Sequence, residues 1–146
     1  MSQKWFECSV RYRKTVEGVQ KVVTEVYLVD ALSFTEAESR VTAAVTEFIV
    51  EEFKITNIKN SNYAEVHNFE DAETWFKSKV SLIAYDEESG KERKTNIYLL
   101  VRADDAKETF DNTVLVMKDT MGEYTIPTIS ETKIIEVFQY SSGNVE

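Results

Sequence analysis

The chain carries two tryptophans, and both open the same short phrase. Trp5-Phe6 with Val10 and Trp75-Phe76 with Val80 stand 70 residues apart. Two further blocks follow in the same order. Thr24-Glu25-Val26-Tyr27-Leu28-Val29 matches Thr95-Asn96-Ile97-Tyr98-Leu99-Leu100, and Phe53-Lys54-Ile55 through Ile58 to Glu65-Val66 matches Tyr124-Thr125-Ile126 through Ile129 to Glu136-Val137. A repeat of this period constrains the fold more than any single element does. The charge follows it: residues 1–27 and 75–102 hold a basic excess, while residues 28–74 and 103–146 hold the acidic excess behind the net charge of −9.

Each half reads strand–strand–helix–strand. Residues 4–14 alternate, with Phe6, Cys8, Val10 and Tyr12 on one face and Trp5, Glu7, Ser9, Arg11 and Arg13 on the other. Glu17-Gly18 supplies a turn, and the β-branched run 20–29 returns. Ser33 or Thr35 can cap a helix whose apolar stripe is Ala37, Val41, Ala44, Val45 and Phe48. A third strand runs over about 53–67, with a break near Asn60-Ser61-Asn62. In the second half, residues 75–86 and 92–103 flank the polar loop Glu87-Glu88-Ser89-Gly90. Asp104 or Asp105 caps a helix carrying Ala106, Phe110, Val114 and Met117, and residues 129–140 form the last strand after Pro127. The helices align as Ala37/Ala106, Val41/Phe110, Val45/Val114 and Phe48/Met117.

A unit of one helix and three strands has a marginal core, and two such units can share one. The expectation is one pseudo-twofold α+β domain over residues 1–146, with repeat 1 at about 4–67 and repeat 2 at about 75–140. It would hold a six-stranded, mainly antiparallel sheet or open barrel with both helices on one face. Trp5 would superpose on Trp75 and Tyr27 on Tyr98, and Val41, Val45 and Phe110 would share one core.

The face opposite the helices then displays Trp5, Arg11, Arg13, Val23, Tyr27, Trp75, Lys77, Lys79, Ile83, Tyr85, Tyr98 and Arg102. The leading reading is that these aromatics pack, inside a barrel or against a protein partner or second copy, because an uncovered apolar patch of this size is a liability. The alternative is a platform for single-stranded nucleic acid, with rings stacking bases and cations tracking phosphates. A small-ligand cleft is a third use of the face. Glu7 and Glu25, read on the same face, oppose the nucleic-acid reading, and so does the acidic total.

Catalytic signatures are missing from the sequence. It holds no G-x-S-x-G, Walker A, C-x-x-C or H-E-x-x-H pattern. His67 lies beside Glu65, Asn68 and Glu70 and reads as a surface residue, while Cys8, between Phe6 and Val10, reads as a small buried hydrophobe. The acidic pairs Glu51-Glu52, Glu70-Asp71 with Glu73, Glu87-Glu88 and Asp104-Asp105 fall in loops, a hairpin and a helix first turn. A hydrolase or nuclease built on one of them is the least favoured reading, so no catalytic, metal or cofactor site is expected. No apolar stretch reads as a membrane span or signal peptide, and the lone thiol suits a reducing cytoplasm.

The Trp-Phe-Glu-Cys strand, the run Thr-Glu-Val-Tyr-Leu-Val-Asp-Ala into Ser-Phe-Thr-Glu-Ala-Glu, and Phe-Lys-Ile-Thr-Asn-Ile-Lys together resemble an uncharacterised domain-of-unknown-function family of gut Bacteroidetes and their phages. The resemblance spans nearly the whole chain and implies a phage or mobile-element setting. It brings no activity and no functional residues. The expected role is a non-catalytic binding or interaction module.

Overall fold

The computed structural model describes residues 3–140. In chain order the elements are β1 (Lys4–Val16), β2 (Val19–Ala31), α1 (Phe34–Thr46), β3 (Phe53–Ser61), β4 (Tyr63–His67), β5 (Thr74–Tyr85), β6 (Glu92–Ala103), α2 (Ala106–Met117), β7 (Glu123–Glu131) and β8 (Ile134–Phe138). They form two compact units, each a four-stranded mixed sheet with one helix. The first sheet has the order β3-β1-β2-β8 and the second β4-β6-β5-β7.

This corrects the six-stranded sheet or open barrel. The third strand of each half is two strands, split at Asn62 and at Thr132-Lys133. Polar residues at both breaks let the chain leave one sheet and enter the other. β4 joins the second unit, parallel to β6, and β8 joins the first, parallel to β2. The last strand expected over 129–140 is likewise divided between β7 and β8. Each helix lies on its own sheet.

The two units follow one plan down to register. Arg11 pairs with Lys54 where Ser81 pairs with Thr125, and Tyr12 pairs with Phe53 where Leu82 pairs with Tyr124. Both edge strands slip at the same place, between Ser9 and Val10 and between Lys79 and Ser81. Pro127 falls at the second slip, where an edge strand needs no donor.

The hairpins differ, and the difference matters. Glu17 (φ 50) and Gly18 (φ 79) turn the first hairpin in two residues, both left-handed, as a type I′ turn requires. The second hairpin uses Glu87-Glu88-Ser89-Gly90, closed by Asp86 N–H donating to the Lys91 carbonyl at 2.8 Å. Two extra residues raise the offset from 70 to 72: Phe6 pairs with Val29, and Phe76 with Val101. The match of Tyr27 to Tyr98 is thus one residue out, and a one-residue slip moves a side chain to the opposite face. Tyr27 pairs with Cys8 and is buried beneath α1, together with Phe6, Val10, Val29, Val41 and Val45. Its structural counterpart is Leu99, which pairs with Ser78. Glu25 and Val23 move to the helix side with it, away from Trp5.

The helix alignment shifts too. Reciprocal caps start both helices: Ser33 Oγ accepts from Glu36 N–H and Glu36 from Leu32 N–H, while Asp105 accepts from Glu108 N–H and Glu108 from Asp104 N–H. These caps set Ser33 on Asp105, so Ala37 matches Thr109, Val41 matches Thr113 and Val45 matches Met117. α1 buries Ala37, Val41, Ala44 and Val45 as expected, whereas α2 buries Thr109, Thr113 and Met117. Phe110 is therefore not core: it is 45% exposed, with Val114 at 39% and Leu115 at 52%. The buried hydroxyls are satisfied: Thr113 Oγ1 lies 2.7 Å from the Thr109 carbonyl and 3.0 Å from Ser78 Oγ, and Thr109 Oγ1 donates to the Asp105 carbonyl.

Candidate functional site

The residues read as one basic aromatic face are divided between the two units, and Tyr27 leaves that face. In the first unit Trp5 is half-buried, and Arg11 and Arg13 are exposed further along β1. Tyr27 lies on the other side of that sheet, within the helix core. In the second unit Trp75, Lys77, Lys79, Tyr85, Tyr98 and Arg102 do share the side of the sheet away from α2, as Trp75 pairs with Arg102 and Lys79 with Tyr98.

Lys77, Tyr98, Arg102 and Trp75 make cation–ring contacts within this unit. The Lys77 ammonium lies 4.6 Å from the centre of the Tyr98 ring and 5.7 Å from that of Tyr63, and the Arg102 guanidinium 5.6 Å from that of Trp75. Such contacts contribute about 0.5–2 kcal/mol each. Trp75 is 1% exposed, so its ring offers no face to a base. Trp75 Nε1 and Arg102 Nε are buried without hydrogen-bond partners, although Arg102 Nη1 reaches Asn68 at 3.1 Å. Tyr85, at the hairpin end, is exposed.

The remaining polar candidates have local roles. His67 Nε2 contacts Glu65 Oε1 at 2.7 Å. Asp104 accepts from Glu73 N–H and Asp105 caps α2. Glu87 and Glu88 sit in the hairpin loop, where Asp86 takes the Glu88 and Ser89 amides; those bonds hold the Asp86 carboxyl below its ordinary value. Among the described residues no group of three or more His, Cys, Asp or Glu is placed to hold a metal ion. No described helix is long and apolar enough to cross a membrane. Cys8 is a free, buried thiol.

The feature that residue spacing did not reveal is the outer face of α2. Phe110 and Val114 stand four residues apart along its flank, Leu115 is exposed next to Val114, and Met121, just past the helix end, is 95% exposed. At the matching positions α1 carries Glu38, Thr42 and Ala43. The two capping boxes were the signal that could have placed this stripe outside, since they align the helices at 72 rather than at 69.

The class defined by these observations is an α+β protein that builds a helix-covered, four-stranded mixed sheet twice. The chain belongs to the family described as domain of unknown function (DUF4494), which it matches over residues 4–140. Comparison with curated proteins found no match.

Proposed function

We propose that the protein is a non-catalytic interaction module that pairs with a second copy of itself through the outer face of α2. The observation that carries this reading is the exposed apolar group Phe110, Val114 and Leu115, on a helix whose counterpart carries Glu38, Thr42 and the small Ala43 at the same positions. Water-facing apolar residues grouped on one element mark a contact surface. A twofold contact is self-complementary by symmetry. Antiparallel pairing of two α2 helices sets Asp111 of each against Lys118 of the other, with Val114 and Leu115 between. A helix of 12 residues spans about 18 Å, so the contact is small and the dimer weak, in the micromolar range typical of limited interfaces.

The platform for single-stranded nucleic acid has less support, because Trp75 is buried and Tyr27 is on the wrong side of its sheet. A reducing cytoplasm suits the free Cys8 thiol, and the phage or mobile-element setting rests on the family resemblance. Sedimentation equilibrium tests the main reading. The wild type should show a concentration-dependent dimer, and Phe110→Glu/Leu115→Glu should be monomeric with an unchanged thermal midpoint. A wild type monomeric up to millimolar concentration overturns it.

A further inference from the structure

The repeated plan provides an internal control: a feature present in one unit and replaced in the other is not required by the fold. The largest such replacement lies on the helix side of the sheets, toward the hairpins. There the second unit places Leu82, Ile97 and Leu99, all packed in its apolar core. The first unit places Tyr12, Glu25 and Tyr27 at the same register positions, since Glu25 pairs with Val10 where Ile97 pairs with Val80. A carboxylate in a helix–sheet layer is costly to desolvate, and the aliphatic solution is available in the same molecule.

The geometry around Glu25 is asymmetric. Both phenols donate to the same oxygen, Oε1: Tyr27 at 2.8 Å and Tyr12 at 3.0 Å. The other oxygen, Oε2, meets the Lys14 ammonium at 3.5 Å, and that side chain is half-exposed. A contact at this distance from a half-exposed lysine contributes little, and the ammonium exchanges readily with solvent. The carboxylate borders a cleft of about 500 Å³ walled by Tyr27, Phe48, Ile49 and Ile135. Tyr27 stacks on Phe138, with ring centres 5.6 Å apart, and Phe48 lies 5.9 Å from Tyr27. Glu51 acts on Tyr12 and Glu136 on Tyr27, both raising the cost of phenolate formation.

We propose that this cleft is a binding site for an ammonium group on an apolar body. The ammonium donates to Glu25 Oε2 in place of Lys14, and the apolar body lies against the exposed Phe48 and Ile135. Tyr12 and Tyr27 hold Oε1, which fixes the carboxylate plane and aims Oε2 at the ligand. A few placed charged groups within a largely apolar wall, here Glu25 and Glu51 beside Phe48, Ile49 and Ile135, are the usual construction of a small-molecule site. The ammonium has two sources, a free amine or a lysine side chain of a peptide.

The test is titration of the full chain, followed by heteronuclear NMR, with three probes: phenethylammonium, blocked lysine (Nα-acetyl-lysine methylamide) and phenethyl alcohol. The expected result is saturable shifts at Tyr12, Glu25 and Tyr27 with at least one ammonium probe and none with the alcohol. Tighter binding of phenethylammonium assigns the site to free amines, and tighter binding of blocked lysine assigns it to a peptide. Glu25→Gln should weaken binding tenfold or more. Tyr12→Leu/Glu25→Ile/Tyr27→Leu, which installs the second unit's own residues, should abolish binding and leave the thermal midpoint unchanged or raised. The proposal is overturned if neither ammonium probe saturates at tens of millimolar, if the alcohol binds as well as the amine, or if Glu25→Gln binds like the wild type. Should the triple variant not fold, Glu25→Gln and the alcohol still decide the matter.

Discussion

Thr113 and Ser78 are both fully buried, with their hydroxyl oxygens 3.0 Å apart. Each hydroxyl has one proton. Thr113 is closer to the Thr109 carbonyl, at 2.7 Å, so it donates there and accepts from Ser78. Thr113→Val preserves shape and mirrors Val41 of α1, but strands the Ser78 proton in an apolar layer. An unsatisfied buried hydroxyl costs about 1–3 kcal/mol, and the Thr-to-Val exchange is no volume-only change for that reason. Ser78→Ala leaves Thr113 donating to Thr109 and should cost less, about 1 kcal/mol or below. The double variant removes both partners and should be no less stable than Thr113→Val alone. The expected coupling is about 1 kcal/mol, within the range for residues in contact. Urea unfolding followed by tryptophan fluorescence is a suitable assay, because Trp75 lies on the same strand as Ser78. Strict additivity of the two single changes would refute the argument, and so would a Thr113→Val variant as stable as the wild type.

Two further predictions concern burial. Val41→Ala empties a site that is 0% exposed and should cost about 2–3 kcal/mol, from two lost methyl groups plus a cavity; Phe110→Ala, at a side chain 45% exposed, should cost less than about 1 kcal/mol despite its larger ring, and thermal unfolding of the pair checks both. At high pH the fold should weaken through three acids: burial, then the Glu25 hydrogen bond, pushes Tyr12 from 10.0 to about 12 and raises Tyr27 as well, and burial, then Glu7, pushes the Cys8 thiol from 9.0 to about 12. All three pKa values are higher folded than unfolded, so their contributions are complete below the unfolded values and are lost as pH rises through the folded values. Melting midpoints between pH 8 and 12 should fall across that window and Glu25→Gln should soften the fall; a flat profile contradicts the burial of these groups.

Local pattern was enough to read much of this protein. Period-2 alternation on β1 put Phe6, Cys8 and Val10 under a helix, because successive side chains of a strand must point to opposite faces. The stripe Ala37, Val41, Ala44 and Val45 did the same for α1, and the doubled Trp-Phe phrase disclosed the repeated element order. Cys8 as a buried hydrophobe was legible for the same reason.

Register and exchange were not legible, since both depend on partners distant in sequence. Tyr27 and Tyr98 occupy look-alike phrases 71 residues apart, yet β2 and β6 match at 72, so the two rings lie on opposite faces. Phe110 looks like core until the caps at Ser33 and Asp105 rotate the helical match by three residues and bring Thr109 and Thr113 inside. A strand's second segment can pair with any free edge of suitable length, so nothing local to 63–67 or 134–138 tells it to leave its own half. Composition and periodicity decided which residues become strand, helix and turn, because those choices are made within a few residues. Only the tertiary pairing decided which edge each strand joins and which face each side chain takes, and with them whether Glu25 faces solvent or a cleft, because hydrogen-bond register between distant strands is settled by the assembled sheet.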